Sequence, residues 1–217
     1  GANHHVAPFE GEDFQMFEKD LPGKNTAGHS ADSVIGNLPL ETCDTINKAW
    51  GYNAKDKSLK STKDLIQYVV RAAGYGANFL LNVGPKPDGE LPIEQEERLR
   101  EVALWMFING ESIYGVRPWP ITNEGDYWFT KKKGEDTLYV IVKEKERWKY
   151  GEWKEITLRS VKATSKTRAT VLGQNDEVLE YQPGVVPKTT WRQDQRGLHI
   201  RAMHAQRIYN DRKWPNP

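Results

Sequence analysis

The stretch from Ser61 to Asn109 constrains the fold most. Ser61–Gly74 (STKDLIQYVVRAAG) places Leu65, Ile66, Val69, Val70 and Ala73 at the helical period. Ser61, with Asp64 three residues on, resembles a capping box, and Gly74 and Gly76 stop the helix. The short apolar run Asn78–Val83 (NFLLNV) follows, and its length and flanking glycines predict a buried strand of a parallel sheet. After the turn GPKPDG, Pro92 can serve as the first residue of a second helix. That helix runs to about Asn109, with Leu99, Val102, Ala103 and Met106 on one face, and Asn109-Gly110 ends it. Helix, strand, helix in this order is α/β punctuation.

From Tyr127 the pattern changes to short β-prone runs separated by turns. The expected strands are Leu138–Lys143, Glu155–Val161, Arg168–Leu172, Val178–Tyr181, Thr189–Gln193, Leu198–Met203 and Arg207–Tyr209. Such spacing suggests an antiparallel sandwich. Trp128, Trp148, Trp153, Trp191 and Trp214 lie in this half. Exposed aromatics of this kind could bind carbohydrate, and packing of the sandwich is the plainer role. Lys131, Lys132 and Lys133 beside Gly134 read as a solvated hairpin tip.

Charge follows the same division. Residues 1–116 carry 11 Lys+Arg against 17 Asp+Glu, a net of −6, and residues 117–217 carry 20 against 13, a net of +7. The total of +1 is their cancellation. The shift predicts two domains, 1–116 and 117–217, joined near GVRPWP, whose prolines argue for a stiff, non-helical linker. The overall balance argues against a dedicated nucleic-acid partner or a polybasic membrane partner. No apolar run approaches the roughly 18 residues of a bilayer span. The single cysteine, Cys43, permits no intrachain disulfide. The first residue is Gly1, and no signal-peptide pattern follows it, so a processed or truncated chain is expected.

No metal or organic cofactor is implied. Gly74-x-Gly76 stands before its strand, the wrong order for a dinucleotide loop. His4-His5, with Glu10, Glu12 and Asp13 nearby, could hold a metal but reads more plainly as a loop pair. Nothing in their spacing joins Cys43 and His29 as nucleophile and base. The cluster Glu10, Glu12, Asp13, Glu18 and Asp20 is more informative, because it sits among Phe9, Phe14, Met16 and Phe17. Carboxylates among aromatics can be held protonated at neutral pH, as a general acid requires. Glycosidases use two carboxyl groups, one of them kept protonated for the leaving oxygen. A solvated acidic face is the plain alternative.

At these residues the chain resembles the family 29 glycoside hydrolases, the α-L-fucosidases. The matching stretches are EGEDFQMFEKDLPG (10–23), LPLETCDTINKAWGY (38–52), GANFLLNVGPKPDGELP (76–92) and INGESIYGVRPW (108–119). The resemblance implies the C-terminal part of a (β/α)8 barrel followed by a β-sandwich. It also implies a retaining exo-hydrolase of terminal α-L-fucosyl linkages, with an Asp nucleophile and a Glu acid/base. The family's acid/base stands eight residues before the Asp of a D-L-P-G stretch, here Asp20, which indicates Glu12, with Glu10 and Glu18 as alternatives.

Glu41 and Cys43 carry over as signature positions of L-E-T-C, in which Leu40 replaces the usual Trp. Glu41 would support the acid, and Cys43 would be structural. Trp50 could line the leaving-group side or pack the core, and Asn82 would hold loops in place. A barrel of this kind takes about 250 residues, so the front half and the nucleophile Asp are expected outside this chain. The isolated chain is then expected to be inactive, and to associate with the missing barrel half. Fucosylated glycans are the implied substrates, in a secreted or periplasmic bacterial setting. The alternatives are a non-catalytic carbohydrate-binding or structural remnant, or one chain of a split enzyme.

Overall fold

The computed structural model describes residues 10–24, 35–143, 145, 148–174 and 184–205. His4, His5, His29, Trp214 and the strands expected at Val178–Tyr181 and Arg207–Tyr209 lie outside them. The chain forms two compact units. One comprises Gly1–Asn123 and Trp128–Ile141, and the other Glu124–Tyr127 and Val142–Pro217.

The first unit opens with a three-stranded parallel sheet, β1 (Gln15–Glu18), β2 (Leu40–Thr45) and β3 (Ala77–Asn82), in that order. No closed barrel forms among the described residues. Helix α1 (Thr62–Gly74) joins β2 to β3. Its start is decided locally: Ser61 keeps an extended backbone, and its hydroxyl accepts the Asp64 amide at 3.1 Å. The expected strand at 78–83 is β3, one residue earlier, and it is parallel to β2.

Helix α2 (Ile93–Asn109) ends where expected, followed by a 3₁₀ turn, Gly110–Ser112. Pro92 stands at its cap rather than inside it. Its apolar stripe is only shallowly covered: Leu99, Val102 and Met106 are half-buried and Ala103 is exposed. The one buried α2 side chain is Gln95, because its Oε1 accepts the Gly84 amide at 2.9 Å.

Pleating puts Phe17, Leu40, Thr42, Ala77 and Phe79 on one face of the sheet. Tyr68 of α1 stacks on Phe79 with ring centroids 4.6 Å apart, over a core of Leu21, Ala72 and Ala77. Fully burying Phe17 and Leu65 contributes about 1.5–3 kcal/mol each. The other face carries Met16, Glu18, Glu41, Cys43, Asn78 and Leu80. On it Met16 and Leu80 remain 47% and 46% exposed.

The unit continues with a second sheet in the order β4 (Val116–Glu124), β5 (Tyr127–Lys132), β6 (Leu138–Val142). The GVRPWP stretch, expected as a linker, is mostly strand β4. Two prolines are tolerated because β4 is an edge strand, where a missing N–H need break no ladder bond. The lysine run sits where β5 turns into β6, with Gly134 at φ 78° and Lys131 paired to Asp136 at 3.1 Å.

The second unit holds an antiparallel sheet in the order β7 (Trp153–Leu158), β9 (Gly197–Met203), β8 (Thr190–Asp194). The strand expected at Arg168–Leu172 does not form. Turns take the backbone bonds on either side, from Thr167 to Thr164 at 3.0 Å and from Gln174 to Val171 at 3.2 Å.

Candidate active site

Parallel α/β sheets build their sites at the C-terminal ends of the strands. Here those ends are marked by Glu18, Thr45 and Asn82. Glu18 is the last residue of β1, in register with Cys43, and shares the uncovered face with Glu41. Glu12 is half-buried and lies three residues before β1, and Glu10 is exposed further upstream. The three carboxylates singled out in the sequence are therefore distributed along the chain entering and leaving one strand. Asp20, the anchor of the motif spacing, is buried, and its carbonyl accepts the Thr42 hydroxyl.

Glu41 lies opposite Met16 on one side and Asn78 on the other. Cys43 is 6% exposed. Burial pushes its thiol pKa up, and the charges of Glu18, Glu41 and Asp44 add to this against the Lys19 amide. A thiol held protonated in this way is a poor nucleophile, which fits a packing role. Asp44 points to the helix side, where it pairs with Lys60 at 3.2 Å.

The residues after β2 fold back over the strand ends. Ile46 donates its amide to the Asn82 carbonyl at 3.0 Å, and Asn82 donates through Nδ2 to the Trp50 carbonyl at 2.6 Å. Asp56 accepts the amides of Lys48 and Ala49, each at 3.1 Å. Gly84 lets this loop come close: a Cβ there would meet the Tyr52 amide nitrogen at 2.9 Å.

Trp50 and Tyr52 stay 40% and 42% exposed. The Lys19 ammonium lies 5.3 Å from the Trp50 ring centroid. Lys19 is the described non-glycine residue with positive φ, 56°, and its amide donates to the Cys43 carbonyl at 2.7 Å. Neither Lys19 nor Tyr52 stood out in the sequence. The Lys-Asp-Leu-Pro-Gly turn after Glu18 was the available signal for Lys19, and the Trp-Gly-Tyr spacing for Tyr52. The arrangement can present a carboxylate, a cation and two aromatic faces at one sheet edge.

This is the site position of an α/β protein, and comparison with known proteins specifies the group. The family model described as Alpha-L-fucosidase matches residues 2–111. The chain belongs to the alpha-L-fucosidase family. It is 34% identical over 148 residues to a tissue alpha-L-fucosidase of Rattus norvegicus, covering 64% of this chain and 30% of the relative. It is 36% identical over 107 residues to a plasma alpha-L-fucosidase of Homo sapiens, covering 46% and 23%. A crystal structure of Thermotoga maritima alpha-fucosidase in complex with a mechanism-based inhibitor superposes with a TM-score of 0.60 at 25% identity. It covers 90% of this chain and 39% of that one. An alpha-L-fucosidase isoenzyme 1 from Paenibacillus thiaminolyticus, at 24% identity and TM-score 0.58, shares the fold. The chain thus spans about 30% of the length of the rat relative.

Proposed function

We propose that these residues form the acid/base side of a retaining exo-α-L-fucosidase. The family match over residues 2–111 carries the proposal. On it, residues 1–116 are the C-terminal part of a (β/α)8 catalytic barrel and residues 117–217 a β-sandwich. A carboxylic acid from the segment 10–18 protonates the glycosidic oxygen as the aglycone leaves. The nucleophilic carboxylate, supplied from outside these residues, attacks the anomeric carbon from the opposite face, about 5–5.5 Å from the first carboxyl group. The same residue of 10–18 then takes a proton from the water that releases fucose, with retention.

Motif spacing favours Glu12 for this role. Position on the sheet favours Glu18, which ends a strand whose neighbour β2 carries Glu41 and leads into the Trp50 loop. We assign the acid/base to Glu18, with Glu12 as the competing candidate and Glu10 behind it. Trp50 supplies a stacking face for the leaving group, and Glu41 tunes the field around the acid. The exposed Met16 and Leu80 face is covered by the remainder of the barrel, in the same chain or another. The substrates are fucosylated glycans, and the plasma relative supports a secreted setting.

The test uses a chain that carries the whole catalytic unit. Glu18→Gln slows natural linkages severely and aryl fucosides with good leaving groups far less, and azide restores the second step. The same behaviour from Glu12→Gln, with Glu18→Gln near wild type, returns the role to Glu12. If Glu18→Gln, Glu12→Gln and Glu10→Gln all hydrolyse natural linkages normally, none of the three is the acid/base. Residues 1–217 alone, lacking one of two essential carboxylates, give no measurable aryl-fucoside turnover, since its loss raises the barrier by several kcal/mol.

A further inference from the structure

The β7–β9–β8 sheet has one apolar face, with Ile156, Leu158, Leu198 and Ile200, and one polar face, with Glu155, Thr157, His199, Arg201 and Arg192. An open cleft of about 490 Å³ lies over the polar face, lined by Thr157, Arg159, Gln195, Arg196 and His199. Two guanidinium groups, an amide, a hydroxyl and an imidazole meet there, and no carboxylate is among the lining residues.

The nearby acids are already engaged. Asp194 Oδ1 lies 2.9 Å from His199 Nε2, and its Oδ2 accepts from Arg192 at 3.0 Å. Glu155 accepts from the same Arg192 at 3.0 Å. Glu124 is spent on backbone: it accepts the amides of Arg159 at 2.6 Å and Ser160 at 3.0 Å. The Arg159 guanidinium lies in the field of the Glu124 carboxylate but makes no close side-chain hydrogen bond or ion pair among the described residues, and Arg196 reaches Asp194 only at 3.4 Å.

The chain shape that assembles these donors is specific. The β8–β9 turn folds tightly enough for the Arg196 amide to bond Asp194 Oδ1 at 2.8 Å. It then presses on the end of β7 at Gly197, φ 139°, where a Cβ would lie 2.4 Å from the Leu158 carbonyl oxygen. This contact sets Gln195 and Arg196 beside Arg159. Behind them His199, 4% exposed, is held between Asp194 and the Thr157 hydroxyl, 3.0 Å from Nδ1. The floor of the cleft is therefore rigid, and its donors project from it.

We propose that this cleft binds an oxyanion, a sulfate ester or a carboxylate, through Arg159 and Arg196 with the Gln195 amide. Guanidinium forks match such groups bidentately, and neither Arg159 nor Arg196 is held in a short bidentate pair that an arriving anion would have to displace. On the function proposed above the anion is carried by a glycan. That clause alone rests on that function; the oxyanion site stands without it.

The test is binding, read by the Arg Nε–H, Gln195 side-chain and backbone resonances of the intact 217-residue chain. The probes are inorganic sulfate, a methyl glucuronide, a fucose sulfate ester and neutral L-fucose. Saturable shifts at Arg159, Gln195 and Arg196 with the anions, and none with neutral fucose, are expected. Arg159→Gln with Arg196→Gln weakens anion binding at least tenfold, whereas Arg168→Gln, an exposed arginine elsewhere in this unit, leaves it unchanged. Retention of the wild-type spectrum outside the cleft excludes misfolding of the double variant.

Inorganic sulfate binding as tightly as the saccharides supports the oxyanion site and removes the glycan clause. The proposal is overturned if no anion gives a saturable response, if the double variant binds as wild type does, or if Arg168→Gln weakens binding equally. Hydrolytic activity enters none of these readouts, so failure here is distinguishable from failure of the fucosidase proposal.

Discussion

Asn82 donates its side-chain amide to the carbonyl of Trp50 at 2.6 Å, while its own carbonyl accepts the Ile46 amide at 3.0 Å. One residue at the end of β3 thus holds both ends of the chain segment that leaves β2 and presents Trp50. The bonds run between elements more than 30 residues apart in sequence. Asn82→Ala should cost about 1 kcal/mol, the net value of one such bond. It should also shift Trp50 toward the emission of a freely solvated indole. Denaturant titration and fluorescence together check this, and an unchanged Trp50 environment would show that the loop is held by something else.

Asp56 supports the same segment from outside. The Ser58 hydroxyl and amide, then the Ala49 and Lys48 amides, hold its pKa down to about 2 from 3.8. The folded state therefore binds this proton less tightly than the unfolded chain. Its stabilising contribution is complete above pH 3.8 and is lost as pH falls through about 2. An NMR titration should find the Asp56 midpoint near 2, and Asp56→Asn should remove that part of the acid dependence. A midpoint at the ordinary carboxylate value would contradict the Ser58 contacts.

The opposite sign holds for Cys43. Burial raises its pKa above 9.0, so the folded chain holds the thiol proton more tightly than the unfolded chain. The contribution is full below pH 9.0 and declines as pH rises past it. Alkylation by iodoacetamide at neutral pH should be slow until the chain is unfolded. Rapid labelling of the native chain would mean an accessible thiolate.

Gly197 tests how the second unit is built. At φ 139°, with a Cβ 2.4 Å from the Leu158 carbonyl oxygen, no side chain fits without moving backbone. Gly197→Ala should cost about 2–4 kcal/mol. Gly134→Ala, where nothing lies within 4 Å of the added Cβ, should cost less, the strain of its φ of 78° alone. Equal midpoints in thermal unfolding for the two variants would refute the close approach.

Where a signal is local, the sequence carried it. Helix α1 begins at the Ser61–Asp64 cap and ends at Gly74 because capping and side-chain period act within a few residues. The strand at β3 and the stop of α2 at Asn109 were legible for the same reason. Family membership was legible too, since LETC, LLNVGP and NGESIYG are contiguous strings.

Pairing was not legible. That Val116–Glu124 could be a strand despite two prolines depended on its lying at a sheet edge, and that 168–172 would not be one depended on turns at 164–167 and 171–174. Which carboxylate of Glu10, Glu12 and Glu18 ends a strand beside Cys43 followed from the β1–β2 register. The meeting of Arg159 with Gln195 and Arg196 followed from the β7–β9–β8 order. A sequence determines which residues are available and what each short segment prefers. The distance between charges from separate segments exists only after strands pair, because pairing sets both register and the face on which each side chain stands.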